Sequence, residues 1–387
     1  MAGKRHGLVQ QRAMRGLTQE ALAEILGVDR STVVRWEAGR CDPQPWMRPR
    51  LGRALGVTAF ELQRLLSSPS GVVPPGHARA ISSPAPGDDE PGSCTSLRED
   101  FDRLVRRYDR LPSASLLVEA GQRLGKFELL AGDARRGRMR REFLTLQAEA
   151  VAFVGQLVWD ASERRDHQTA RSLYTRSLDI ARHVGDGVLE GLALLRMGHV
   201  ALYGVRDAHE GLRLSLSAAH APRGASHALS AVARLHAGEA HAMLGQPGQC
   251  DEELEKADRH LARVDDWDAA LDLISPGQRH RLAGSCHLSL GRYELAVREL
   301  VDAAAELPSH TKSRSIVLGN LALARIRQGE VDAGTAALRT AIEELEGTRG
   351  GGGVSVVFGA VRELRPWCRM PEVQDVHDRL FALMAGR

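Results

Sequence analysis

The stretch from Thr18 to Gly39, TQEALAEILGVDRSTVVRWEAG, constrains the fold of this chain more than any other segment. Thr18 is a good N-cap for one helix, and Asp29 is a good N-cap for a second helix that closes at Gly39. Gly27 lies between the two helices, where its conformational freedom permits a tight turn. The sequence therefore predicts two short helices joined by a sharp turn.

Flanking segments predict a small all-helical head around this unit. A first helix runs from about Lys4 to Arg15, and two short helices follow near 46–55 and 58–66. Helical spacing predicts that the first three helices turn these side chains inward: Leu8, Val9, Arg12, Ala13, Ala21, Leu22, Ile25, Val33 and Trp36. The prediction is a five-helix domain over residues 1–66.

The exposed face of the third helix carries Arg30, Ser31, Val34 and Arg35. An arginine fork can bond O6 and N7 of one guanine together, a contact worth about 1–3 kcal/mol of base discrimination. The head is also basic, since residues 1–66 hold 11 Lys/Arg against 6 Asp/Glu, while the rest of the chain holds 41 against 43. This face predicts binding in the major groove of double-stranded DNA, at a site with at least one guanine per half.

Residues 5–66 resemble the phage-repressor-like helix-turn-helix family, also called the XRE/Cro type. The resemblance is carried by Arg12, Leu17-Thr18-Gln19, Leu22-Ala23, Leu26-Gly27-Val28, Ser31-Thr32-Val33, Glu37, Gly39 and Ala54-Leu55-Gly56-Val57. It implies base contacts by the residues of the exposed face, an ion pair between Arg12 and Glu37, and a phosphate contact by Gln19 at the positive end of its helix. Arg40 completes the predicted DNA-contact set. Trp36 departs from the family, which usually has a smaller aliphatic residue there, so the core must rearrange locally.

Residues 67–96 are rich in Pro, Ser and Gly and have almost no large apolar side chains. Such a segment buries too little surface to offset the loss of chain entropy on folding, so it is predicted to be a disordered, flexible linker. Apolar residues return at helical spacing from Leu97 to the C-terminus, which predicts a second, all-helical domain over 97–387.

A repeat is most evident between residues 278 and 308. Its small, aromatic and proline positions, at offsets of 7, 9, 12, 19 and 24 from the first, are Gly284, Gly291, Tyr293, Ala296, Ala303 and Pro308. Partial copies hold Gly238, Gly245 and Ala257, then Ala322, Gly329 and Ala341, with weaker ones near 166–170 and Gly204. This pattern resembles the tetratricopeptide repeat, a pair of antiparallel helices.

The loop glycines Gly204, Gly245, Gly291 and Gly329 stand 41, 46 and 38 residues apart, more than the usual period of about 34. A divergent array with longer helices or loops is therefore predicted. The whole chain resembles bacterial regulators that join a repressor-like head to such an array, some of which bind signalling peptides.

Stacked repeats form a concave groove lined by the first helix of each pair. Helical register places on or near that surface Arg234, Leu235, His236, Glu239, Arg281, Ser285, Asn320 and Leu323. Asn320 is the preferred ligand contact, because its amide can bond both donor and acceptor of a peptide backbone. The alternative reading is that these residues make ordinary contacts between repeats.

No catalytic or metal site is predicted. Five dispersed cysteines lack a CxxC pair, no nucleophile has a signature around it, and Gly350–Gly353 is predicted to be a flexible connection because no Gly-Lys-Ser/Thr follows. No cofactor is expected. The lack of an apolar run of about 18 residues predicts a cytoplasmic protein with no membrane contact.

Together these features predict a sequence-specific DNA-binding transcriptional regulator that is not an enzyme. Its repeat domain would form a homodimer and sense a peptide, a small molecule or a protein partner. The alternative is an interaction scaffold that the head only tethers to DNA.

Overall fold

The computed structural model describes residues 5–43, 47–57, 61–62, 65–66, 94–134 and 137–385. All regular elements in these ranges are helical, as predicted. The chain divides into two compact units, one made of residues 1–87 with 264–271 and the other of residues 88–263 with 272–387. Most of the predicted linker, residues 67–93, and parts of the predicted fifth helix, 58–60 and 63–64, lie outside the described ranges.

Four helices are described in the first unit: α1 (His6–Met14), α2 (Gln19–Leu26), α3 (Arg30–Glu37) and α4 (Arg48–Leu55). The side chain of Thr18 accepts a hydrogen bond from Ala21 N, and that of Asp29 accepts one from Ser31 N. Gly27 has φ +67°, a left-handed conformation that L side chains rarely adopt. The predicted caps and turn of the helix-turn-helix unit are therefore confirmed.

The core of this unit differs in detail from the sequence prediction. Val33 and Trp36 are buried as expected, but α2 buries Leu22, Ala23 and Leu26. The prediction was wrong for Ile25, whose side chain is 55% exposed, and for Ala13, which is also exposed. The buried stripe of α2 runs through positions 22, 23 and 26, so residue 25 lies beside the stripe rather than within it.

Three polar side chains meet where α1, α2 and α3 converge. Arg12 Nε donates to Glu37 Oε1 at 2.6 Å, and Arg12 Nη1 donates to the carbonyl of Leu17 at 2.6 Å. Gln19 Nε2 donates to the second carboxylate oxygen of Glu37, also at 2.6 Å. The Glu37 side chain is only 5% exposed, so these donors replace the water that the carboxylate loses on folding.

The second unit contains fourteen described helices, beginning with α5 at Cys94 rather than at the predicted residue 97. They are α5 (Cys94–Arg106), α6 (Ser113–Asp133), α7 (Arg138–Ala161), α8 (His167–Val184), α9 (Gly187–His199), α10 (Ala208–His220), α11 (His227–Met243), α12 (Pro247–Leu261), α13 (Gln278–Ser289), α14 (Tyr293–Glu306), α15 (Lys312–Arg327), α16 (Val331–Thr348), α17 (Gly351–Glu363) and α18 (Pro371–Ala385). Most consecutive helices pack against each other as helical hairpins.

Six of these, α7, α9, α11, α13, α15 and α17, are called the first helices below, because each also packs against the next one in the series. Helix α17, the last of the six, packs against α7, the first. The first helices therefore form a closed succession within the second unit. This succession is the helical-repeat stack that the sequence predicts.

The predicted small positions lie where helices approach each other. Ala296 and Ala303 are fully buried, and a Cβ on Gly284 would stand 2.6 Å from Leu300 Cγ. Gly245, Gly291 and Gly329 have positive φ at turns, as loop glycines should. Gly204 was wrongly predicted to be such a glycine, because it lies in a π-helical segment, Val200–Val205, and the left-handed turn residue is Arg206.

The glycine run at 350–353 is not the flexible connection that its composition predicts. Gly351, Gly352 and Gly353 form the buried first turn of α17. Gly351 N donates to Asp160 Oδ1 at 2.9 Å, and Asp160 Oδ2 lies 2.9 Å from Lys312 Nζ and accepts from Ser113 Oγ at 2.7 Å. Glycine is required here because a Cβ at 351 would lie 2.4 Å from the backbone oxygen of Asp160.

Glu37→Gln should destabilise residues 1–66 expressed alone, because it leaves the Arg12 guanidinium partly buried without a counter-charge. Loss of one partner from such a pair costs about 3–5 kcal/mol. The measurement is thermal unfolding by circular dichroism. Glu24→Gln, which changes an exposed carboxylate of α2, is the matched control and should leave the melting temperature unchanged. Equal curves for the two variants would contradict a stabilising role for the pair.

Gly351→Ala should lower the stability of the full chain by about 1–3 kcal/mol, because the new methyl group overpacks the contact between α17 and α7. Gly359→Ala in the same helix is the control, since a Cβ there would have no atom within 4 Å. It should be neutral or stabilise by about 0.5–1 kcal/mol. Urea denaturation measures both, and a Gly351→Ala protein as stable as Gly359→Ala would refute the close approach.

Candidate functional site

The side chains predicted to touch DNA bases share the exposed face of α3. Arg30, Ser31, Val34 and Arg35 are all solvent-exposed, whereas Val33 on the opposite face is 1% exposed. Capping by Asp29 fixes the start of α3 and so the direction of this face. A short helix with two arginines on its outer face can enter the major groove of B-DNA.

Both arginines have partners that DNA could replace. Arg30 Nε lies 2.7 Å from Glu20 Oε1, and both side chains are about 60% exposed. Arg35 bonds only within its own helix, with Nε 3.3 Å from the Ser31 carbonyl and Nη2 3.2 Å from Thr32 Oγ1. Exposed contacts of this kind contribute little free energy, so exchanging them for guanine or phosphate costs little.

The two predicted DNA contacts outside this face, Arg40 and Gln19, differ in how far they are free to meet DNA. Arg40 is exposed just beyond α3, after Gly39. The amide nitrogen of Gln19 is bonded to Glu37 rather than directed only to solvent. The base and phosphate contacts of the whole set stay predictions.

In the second unit, the predicted groove residues His236 and Glu239 belong to a buried polar network. His236 is 2% and Glu239 8% exposed. Tyr203 O–H donates to Glu239, its oxygen lies 2.6 Å from His236 Nδ1, and His236 Nε2 lies 3.1 Å from His199 Nε2. With both histidines neutral, one order of donors satisfies every group, in which His199 donates to His236, His236 to Tyr203 and Tyr203 to Glu239.

Burial sets the ionisation of this network. It lowers the pKa of His199 well below its ordinary value and also lowers the pKa of His236, with nearby arginines acting in the same direction. Burial and the Glu239 carboxylate together raise the pKa of Tyr203 well above its ordinary value. Both imidazoles and the phenol are therefore uncharged at neutral pH.

The remaining groove residues lie on α13 and α15. Ser285 is 9% exposed and accepts a hydrogen bond from Asn320 Nδ2 at 3.1 Å. Arg281 and Leu323 are half-buried, as is Asn320. One of the two N–H donors of the Asn320 amide is thus used within the protein, and a role for these residues in ligand binding stays a prediction.

Sequence reasoning missed several partners in this unit. His199 and Tyr203 are four residues apart, a spacing that could have indicated one face, but the π-helical segment between α9 and α10 left no recognisable pattern. Cys250 and Cys286, which have no common motif, are hydrogen-bonded neighbours in one buried cluster. Arg164 and Arg196 likewise belong to no motif.

Among the described residues, no group of three or more His, Cys, Asp or Glu side chains could hold a metal ion. One helical stretch, Gly187–Val205, is long and apolar enough to cross a membrane by length and composition, with a mean hydropathy of 1.3 and half of it buried inside the molecule. Its packing against α8, α10 and α11 is that of a core helix.

Two solved structures are distantly similar. The structure of Bacillus thuringiensis PlcR in complex with the peptide PapR7 and DNA is 14% identical, covers 86% of this chain and 99% of that one, and has a TM-score of 0.39. A Rap protein complexed with competence and sporulation factor is 10% identical, covers 76% and 98%, and has a TM-score of 0.44. Likenesses this distant do not bear on what the chain binds.

Residues 8–65 match the family model of a helix-turn-helix domain. An uncharacterized HTH-type transcriptional regulator of Methanothermobacter thermautotrophicus is 48% identical over 46 residues, which are 12% of this chain and 67% of that protein. The matched range of the family model contains the capped helices α2 and α3. The chain belongs to the HTH-type transcriptional regulators.

Proposed function

We propose that this DNA-binding regulator acts as a cytoplasmic homodimer, and that its helical-repeat unit senses a ligand and thereby changes DNA binding by its heads. The proposal that the head binds DNA specifically is supported by the outer face of α3. There Arg30 and Arg35 are exposed and make contacts only at the protein surface. Residues Gln19, Ser31, Val34 and Arg40 would add phosphate and base contacts.

A dimer matches an operator with two-fold symmetry. Two half-sites about 34 Å apart, one turn of B-DNA, are the simplest geometry for a pair of recognition helices. The ligand, a peptide or a small molecule, would bind among the first helices, where Glu239, Arg281 and Asn320 supply polar groups. Binding there would alter the association of the repeat units and so the spacing of the heads.

A second candidate is an interaction scaffold whose repeat unit recruits a partner protein. Three large apolar side chains of the second unit favour it, because Val118 is 72%, Leu129 65% and Phe381 75% exposed. In this case the head would only locate the protein on DNA.

Arg30→Ala combined with Arg35→Ala should abolish sequence-specific DNA binding, because each lost bidentate contact removes about 1–3 kcal/mol of discrimination. The measurement is a mobility-shift titration against an operator selected from random duplexes, at fixed salt. Arg182→Ala with Arg213→Ala removes the same charge from exposed positions of the second unit and should retain specific binding. A specific shift that survives the first double substitution would refute the role of this face.

The regulator and the scaffold hypotheses predict different activities for a fragment of residues 97–387 without the head. A regulator requires its head, so this fragment should restore none of the transcription response in a deletion strain, whereas the intact chain restores it fully. Expression of the regulated genes is the measurement, and the double arginine variant of the head is the matched control. A fragment that restores most of the response would favour the scaffold.

A further inference from the structure

Three half-buried arginines of the second unit, Arg164, Arg196 and Arg281, have no counter-charge. Within the described residues none of their side chains forms an ion pair or donates a hydrogen bond, and the buried Nε of Arg164 has no partner. Other arginines nearby are paired, as Arg234 is with Glu253 at 2.8 Å and Arg314 with Glu344 at 3.1 Å. Half-buried arginines of this region can therefore be paired, but these three are not, and neither is Arg325 of α15.

The three arginines converge on the Tyr203 network. The Arg164 guanidinium lies 5.5 Å from the centre of the Tyr203 ring and 4.9 Å from that of Trp159. Arg196 and Arg281 are close enough to His199 and His236 to add to the lowering of their pKa by burial. Arg281 and Ser285 are one helical turn apart on α13, so the Ser285–Asn320 pair adjoins the same place.

The charged groups around the Tyr203 network carry an excess of positive charge. The two histidines and the tyrosine are neutral, and Glu239 is the one carboxylate in the network. Asp160, another acid among the first helices, is already paired with Lys312. Three half-buried guanidinium groups therefore lie near the one carboxylate of the network, and charge that is partly removed from water and left unbalanced is costly.

We propose that the first helices form a binding site for an oxyanion, the carboxylate or phosphate of the sensed ligand, with Arg164, Arg196 and Arg281 as its counter-charges. This rests on the proposed function and adds the chemical class of the ligand. A guanidinium suits the task because its planar fork matches two oxygens of a carboxylate or phosphate. Tyr203 and Asn320 provide polar groups beside the bound anion.

The test compares the full chain with its Arg196→Gln plus Arg281→Gln variant, which keeps polar side chains but removes two charges. Thermal unfolding is followed while pyrophosphate or citrate replaces chloride at constant ionic strength. We expect a saturable rise of about 5 °C in the melting temperature of the wild type and none for the variant. Arg259→Gln, at an exposed position of α12, is the control and should respond as the wild type does.

Each outcome of this experiment either supports or overturns the oxyanion site. A response to citrate alone supports a carboxylate ligand, and a response to pyrophosphate alone supports a phosphate ligand. Equal responses of wild type and variant mean that the anions bind elsewhere, and no response of the wild type means that the site has no affinity for oxyanions; either result overturns the proposal. Without added anion the variant should unfold at or above the wild-type temperature, and a clearly lower value would show that the protein itself balances these charges.

Failure of this site and failure of the proposed function give different results. The Arg30→Ala plus Arg35→Ala variant should lose specific DNA binding but keep the full anion response. A wild type that responds to anions but binds no duplex specifically would refute the proposed function alone. Specific DNA binding without an anion response would refute the oxyanion site alone.

Discussion

The second unit depends on one buried carboxylate, that of Asp160 at the end of α7. It is hydrogen-bonded to Ser113 of α6 and Gly351 of α17 and lies 2.9 Å from Lys312 of α15. Burying an ion pair carries a large desolvation cost, which is offset only when every oxygen has a donor, as here. Because the four helices can meet these requirements in one arrangement, the carboxylate fixes where the end of the helical stack contacts its beginning.

That contact determines which side chains can meet among the first helices. Arg164 follows α7, His199 and Tyr203 lie on α9 and its π-helical extension, and Glu239 lies on α11. Packing of α17 against α7 keeps the succession of first helices closed. A displacement of one first helix therefore acts on packed neighbours on both of its sides. A bound anion could therefore shift helix packing across the unit, which is the kind of change a sensor needs.

The sequence predicts the head well because its signals are local. Caps at Thr18 and Asp29 and the turn at Gly27 depend on a few neighbouring residues, and all three occur as expected. Ile25 fails because an apolar residue at the edge of a helical stripe can point to either side, and tertiary packing decides. In the repeat unit the small positions such as Ala296 are predictable from spacing, whereas the Asp160 cluster joins residues far apart in the chain. The prediction for Gly351–Gly353 was wrong because a run of glycines looks the same in sequence whether it permits close packing or flexibility.

The two groups of arginines differ in their exposure and in their partners. Arg30 and Arg35 are exposed, so water and weak partners stabilise them without DNA, and in the proposed complex specific binding would gain mainly from geometry at the base edges. Arg164, Arg196 and Arg281 are half-buried and their guanidinium groups have no acidic partner among the described residues, so an incoming anion would supply the counter-charge that the ligand-free unit lacks. If the anion changes DNA affinity, linkage requires DNA to change anion affinity by the same factor. The difference in anion affinity between the two states would then set the upper bound on the free energy available for signalling to the heads.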